Sequence, residues 1–363
     1  MNKINLRDIG LSERFIQEAS FYGSEYDLAR VSVQHRDLYR ILTECGEIQA
    51  VVSGKLNYSA SEVREYPAVG DWVLVDRTDD SNGNAIIHHV LTRKSCFERM
   101  AAGTSRERQV VAANMDTVFI CMALNNDYNL QRLERYLSIV WDSRATPVVI
   151  LTKRDLCEDV AAKRLEVESV ALGADIVITS GLDDDCRTEF TPYISDGKTA
   201  AFIGSSGVGK STLINRLIGE ERLETREIRN DDRGRHTTTH RQLILLPRGG
   251  IVIDTPGMRE LQLSGADLAQ SFSDIEQLAE GCRFKDCSHE NEPGCDVRRA
   301  LEDGDLTERR YGNYKKLQKE LLFEERRSSM TVSQAEKQKM IDMMGSLDAQ
   351  KQFKQNHRKY KGK

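Results

Sequence analysis

Between residues 28 and 95, apolar and polar positions alternate in short runs. LARVSV puts Val31 and Val33 on one face and Arg30, Ser32 and Gln34 on the other, and LYRILTE, EIQAVVSGKL, DWVLVDR and AIIHHVLTR follow. This period of two marks half-buried strands. Gly46, Gly54, Gly70 and the Asn82-Gly83 pair separate the runs as turns. Five short strands so close together fit a small closed barrel. The OB-fold is the commonest five-stranded choice and often binds nucleic acid. From residue 117 the pattern changes. TVFICMAL, PVVILTK, ADIVITS, TAAFIG and GGIVIDT are continuous apolar runs, while LQRLERYLSIVWDS and EDVAAKRLEVESVAL carry apolar residues at helical spacing. Apolar strands alternating with helices predict a parallel sheet covered on both faces.

The resulting multidomain α/β organisation has a short N-terminal extension (1–27) with a weak helical pattern at Ile9, Phe15 and Ile16, then a barrel (28–100). A nucleotide-binding domain (101–266) and a polar, helical C-terminal domain built around a cysteine-rich loop (267–363) follow. Residues 93–109 are basic through Arg93, Lys94, Arg99, Arg106 and Arg108 and read as an irregular linker. The last stretch, KQFKQNHRKYKGK, has six Lys/Arg and no acid and reads as a basic tail. Over all 363 residues, 52 Lys+Arg against 57 Asp+Glu give a net charge of −5. That excludes a wholly basic nucleic-acid coat but not a local basic surface. No apolar run of roughly 18 residues is present, so no membrane span is expected. The start, MNKINLRDIG, lacks the apolar core of an export signal. Nothing demands a dimer, and a monomer is expected.

AFIGSSGVGKSTLINRL matches the phosphate-loop pattern G-x-x-x-x-G-K-[ST], with an apolar strand before it and a helix after it. The loop is Gly204, Ser205, Ser206, Gly207, Val208, Gly209, Lys210 and Ser211. Its glycines allow a tight turn whose N–H groups face phosphate, and Lys210 can reach the terminal phosphates. The Ser211 hydroxyl can bind Mg²⁺, and the helix from Thr212 adds its positive end.

GGIVIDTPG places Asp254 and Gly257 in a D-x-x-G at the end of an apolar strand, suited to Mg²⁺ and to sensing a γ-phosphate. Between the two motifs lies Gly234-Arg235-His236-Thr237-Thr238-Thr239, where a threonine, Thr238 for preference, could close on Mg²⁺ as a switch. A guanine reader, N-K-x-D, is absent after Gly257, but PVVIL runs into Thr152-Lys153-Arg154-Asp155 ahead of the phosphate loop. The Asp155 carboxylate can accept hydrogen bonds from guanine N1 and N2, which adenine cannot supply. Lys153 can lie over the base, and Thr152 stands where Asn is usual. Thr179-Ser180-Gly181 offers the loop that would meet guanine O6. The order is therefore a circular permutation of the Ras-like order, possible when the old termini are joined and the new break falls on the surface. Met258 stands where Ras-type enzymes carry a water-orienting Gln, so intrinsic hydrolysis should be slow. His236 is the nearest polar candidate for that task.

Three of the eight cysteines cluster. Cys282-x₄-Cys287-x-His289-x₅-Cys295 is a closed four-ligand set suited to one structural Zn²⁺, with no position left open for water. The dispersed Cys45, Cys96, Cys121, Cys157 and Cys186 read as ordinary small apolar residues.

With VGDWV at 69–73, GSSGVGKST, RHTTT, DTPGMRE and CRFKDCSH, the chain resembles the small-ribosomal-subunit-dependent, circularly permuted GTPases of the RsgA (YjeQ) family over roughly residues 30–325. The resemblance implies a Ras-like P-loop domain between an N-terminal OB-fold and a C-terminal zinc-binding domain. It implies GTP or GDP with Mg²⁺, a cytoplasmic place in late small-subunit maturation, and ribosomal RNA as partner. A nucleotide-gated RNA-binding module with incidental hydrolysis is the alternative. A P-loop ATPase or kinase is a third reading, against which Asp155 argues.

Overall fold

The computed structural model describes residues 3–35, 37–81, 83–100, 108–180, 186–220, 241–254 and 268–329. After helix α1 (Glu13–Ser20), the predicted strands form as β1 (Asp27–Gln34), β2 (Tyr39–Thr43), β3 (Gly46–Val52), β4 (Trp72–Val75) and β5 (Ala85–Val90), with α2 (Gly54–Ser59) between β3 and β4. The pairings β1–β2, β2–β3, β3–β5, β5–β4 and β4–β1 close the barrel, with only β3–β5 parallel. Inward-facing Val31, Ile41, Ile48, Ala50, Val73, Val75 and Ile87 fill it. The N-terminal segment is packed. Leu6, Ile9 and Phe15 are buried, and the Phe15 ring lies 5.9 Å from that of Trp72.

Where it is described, the expected linker is not irregular. β6 (Cys96–Met100) pairs with β7 (Arg108–Ala113) as a two-stranded sheet. Arg93 forks onto the fully buried Asp71 carboxylate at 2.8 and 2.7 Å, and Lys94 Nζ meets Asp116 at 2.7 Å. Their acids lie 22 positions away, so a local run of basic residues read as solvated when it was in fact paired. Arg106 lies outside the described residues.

β8 (Thr117–Ala123), α3 (Leu130–Asp142), β9 (Thr146–Thr152), α4 (Val160–Glu168), β10 (Asp175–Ile178), α5 (Cys186–Phe190), β11 (Thr199–Ile203), α6 (Lys210–Ile218), β12 (Gln242–Leu245) and β13 (Ile251–Asp254) build the second part. Their spatial order is β10-β9-β8-β11-β13-β12. The first five are parallel, as predicted. β12 is antiparallel to β13 and touches β1 at Val33↔Gln242, joining barrel and sheet. Every residue of β8 and β11 is buried, which is why these strands read as unbroken apolar runs. Phe119 packs against Phe190 and Phe202 beneath the sheet's phosphate-loop end.

The described residues fall into two compact units: the barrel with the nucleotide sheet and 269–276, and Leu268 with the chain from 277 onward. α7 (Ser273–Glu280), α8 (Asp296–Asp303) and α9 (Glu308–Ser329) are the remaining helices. In the second unit Val297, Ala300, Leu306, Tyr314 and Leu317 are buried. The basic tail lies outside the described residues. No described helix is long and apolar enough to cross a membrane.

Candidate nucleotide site and metal centre

The phosphate loop joins β11 to α6 in mid-sheet, between β8 and β13, where ligands of open α/β sheets gather at the carboxyl ends of strands. Gly204, Gly207 and Gly209 have φ of 143°, 76° and 99°, which L side chains rarely adopt. At Gly204 a Cβ would also meet the Cys121 carbonyl at 2.4 Å. Burial pushes the neighbouring Cys121 thiol up to about 12, so it is neutral packing. Val208 is buried, Ser206 and Gly207 are exposed, and Ser205, Gly209, Ser211 and Thr212 are half-buried around the start of α6.

Lys210 Nζ donates to the carbonyls of Gly204 at 2.8 Å and Ser205 at 2.7 Å. Its charge is thereby held against the loop's own backbone. Asp254 ends β13. Burial raises its carboxyl above the ordinary value while the Lys210 ammonium pulls it down, with a net rise. A Mg²⁺ at this position would favour the ionised form.

The guanine-reader segment follows β9. Lys153 takes a left-handed backbone, φ 57° and ψ 41°, which turns the chain so that Arg154 and Asp155 stand exposed. Asp155 Oδ1 accepts the Ser180 hydroxyl at 2.7 Å. The sequence places Ser180 in the loop expected to meet guanine O6; its side chain also orients the reader carboxylate. The Thr152 hydroxyl donates to the Val208 carbonyl at 2.6 Å. The residue standing where Asn is usual therefore ties reader to phosphate loop, a contact across 56 positions that no local pattern displays. Gly181, His236, Thr238 and Gly257 lie outside the described residues.

In the second unit the ligand atoms of Cys282, Cys287, His289 and Cys295 all lie within 4.8 Å of one another. Cys282 Sγ is 3.8 Å from Cys295 Sγ. His289 Nδ1 is 3.6 Å from Cys282 Sγ and 3.3 Å from Cys295 Sγ. Zn–S bonds of about 2.3 Å at tetrahedral angles put sulfurs about 3.8 Å apart, so the four groups fit such an ion. Gly294, φ 73°, and His289, φ 60°, let the loop wrap. Cys295 Sγ also accepts the Arg298 N–H at 3.4 Å and opens α8. Of the dispersed cysteines, Cys121 is buried as expected, but Cys45, in the β2–β3 turn, is exposed.

A relative from Lactiplantibacillus plantarum, named Small ribosomal subunit biogenesis GTPase RsgA 2, is 48% identical over 331 residues, covering 91% of this chain and 92% of the relative. The chain belongs to the RsgA GTPase family. The model of that family matches residues 90–264. A relative from Opitutus terrae, named Small ribosomal subunit biogenesis GTPase RsgA, is 42% identical over 346 residues, 92% of this chain and 94% of the relative. Among solved structures, YjeQ from Thermotoga maritima superposes with a TM-score of 0.61 at 29% identity, covering 82% of this chain and 99% of that one. YloQ, described as a circularly permuted GTPase, does so at 0.60 with 24% identity, covering 82% of this chain and 96% of that one. The chain is therefore a GTP hydrolase of permuted architecture, and the family implies GTP or GDP with Mg²⁺. An ABC transporter model also matches residues 188–352; that span includes the phosphate loop, a pattern common to P-loop proteins.

Proposed function

We propose that this RsgA-family GTPase couples GTP hydrolysis to late assembly of the small ribosomal subunit, acting in the cytoplasm as a monomer with its barrel on ribosomal RNA. One observation carries the base choice: Asp155, fixed by Ser180, stands at the end of the strand whose Thr152 is tied to the phosphate loop. These two hydrogen bonds support reading the segment after β9 as the base reader beside the phosphate cradle. The names of the relatives support the subunit as partner.

In this reading the loop Gly204 to Gly209 and the start of α6 hold the phosphates. Lys210 reaches the terminal phosphates. Ser211, Thr238 and Asp254 would hold Mg²⁺, which would supply positive charge beside the γ-phosphate, and Gly257 senses the γ-phosphate. Lys153 and Arg154 border the base. With Met258 unable to orient water, His236 positions it when docking on the subunit brings it in. Cys282, Cys287, His289 and Cys295 hold one structural Zn²⁺, which fixes the fold of its loop and does no hydrolytic chemistry.

Asp155→Asn should weaken GTP by about ten- to a hundredfold, the loss of a charged hydrogen-bond pair. It should favour xanthosine triphosphate, whose C2 oxygen accepts a hydrogen bond from the new amide. Competition titrations with GTP, ATP and xanthosine triphosphate check this. Unchanged GTP affinity sinks the assignment.

A further inference from the structure

We infer that Asp127 is a positioning residue for the phosphate loop: its carboxylate, held by Arg132, takes the Ser205 hydroxyl and fixes the first turn of the loop. The inference rests on reading residues 204–211 as the nucleotide-phosphate loop.

Asp127 lies in the turn between β8 and α3, 78 positions ahead of Ser205. That turn is built by its own side chains. Asp127 N–H donates to Asn125 Oδ1 at 3.0 Å, and Tyr128 N–H donates to the Asn125 carbonyl at 2.9 Å. Asn129 Oδ1 accepts Arg132 N–H at 2.9 Å and so starts α3. This cap places Arg132 on the first turn of the helix, where its guanidinium reaches back to Asp127 Oδ1 at 2.9 Å and to the Asp127 carbonyl. The other carboxylate oxygen, Oδ2, accepts the Ser205 hydroxyl. A carboxylate fixed on one side by a guanidinium has its second oxygen aimed, and here it is aimed at the loop.

The loop needs such a tie. Ser206 and Gly207 are exposed, so no packing shapes its middle, and its glycines raise the entropy lost on ordering. Beside Lys210 on the Gly204 and Ser205 carbonyls, two side chains from other parts of the sheet tie its ends: Thr152 on the Val208 carbonyl and Asp127 on the Ser205 hydroxyl. Thr152 ends β9, and Asp127 lies in the turn after the neighbouring β8. The Arg132 charge offsets that of Asp127, so the tie need not repel the phosphates. Because the loop embraces phosphates that GDP and GTP share, losing the tie weakens both nucleotides alike.

Titration of a fluorescent GDP into the native chain, Asp127→Ala, Ser205→Ala and the double variant tests this. Each single change should weaken GDP about tenfold, the scale of one hydrogen bond to a charged group. The double variant should be no weaker than either single one, because both remove the same bond. Asp127→Asn, which keeps an acceptor for the hydroxyl, should recover part of the loss, and GTP should weaken in step. A merely structural role would give neither the coupling nor the rescue. Native affinity in both single variants, or losses that add in the double one, overturns the inference. A native chain that binds no GDP overturns the phosphate-loop reading itself, and the inference with it.

Discussion

Cys295→Ser is expected to unfold the C-terminal unit while the barrel and nucleotide sheet stay folded. The serine hydroxyl can still accept the Arg298 N–H and open α8, since serine is a favoured residue there. What the variant loses is a thiolate, one of four groups whose mutual distances suit a tetrahedral ion. Metal binding of this kind supplies on the order of 10 kcal/mol of folding free energy, more than a unit with a handful of buried side chains holds in reserve. The barrel core around Val31, Ile41 and Ile87 and the sheet core around Phe119 and Phe202 share no residue with that unit. Limited proteolysis combined with metal analysis should find about one Zn²⁺ per native chain, little in the variant, and new cleavage confined to residues beyond 277. A metal-free native chain, or a variant as resistant as the native one, contradicts the assignment.

Lys210→Ala should weaken GTP and GDP by about a hundredfold. Hydrogen bonds between charged partners contribute about 1.5–3 kcal/mol each, and an ammonium over the terminal phosphates makes more than one. The loss is discounted because the Lys210 ammonium also serves the Gly204 and Ser205 carbonyls. A second effect has a definite sign. Burial raises the Asp254 carboxyl and Lys210 opposes the rise. Without the ammonium the carboxyl keeps its proton to higher pH. Mg²⁺-dependent GDP binding should therefore fail at a higher pH in Lys210→Ala than in the native chain as acid is added. Calorimetric titrations between neutral and mildly acid pH, with and without Mg²⁺, read both effects. Equal affinity, or an acid limb that does not move, contradicts them.

What sequence alone could and could not show follows from the range of the interactions. The five barrel strands and the parallel strands are written in local alternation and in apolar runs, so their existence was legible. The phosphate loop and the zinc cluster are spacings within one short segment, legible for the same reason. Arg93 and Lys94 were misread because the acids that pair with them come from elsewhere in the chain. β12 was missed because four residues, QLIL, with Pro247 two positions beyond Leu245, carry too little periodicity. Ser180 on Asp155, Thr152 on Val208 and Asp127 on Ser205 bring together residues 25, 56 and 78 positions apart. Only the fold shows such pairs.

The most direct test of the whole account is GTP turnover by the native chain, measured as phosphate release with and without purified small ribosomal subunits. With Met258 in place of a water-orienting Gln, the free protein should turn over slowly. Added small subunits should raise the rate on the order of a hundredfold, the scale of one positioned acid–base group, while large subunits should not. A rate unchanged by small subunits, or raised equally by large ones, would contradict it.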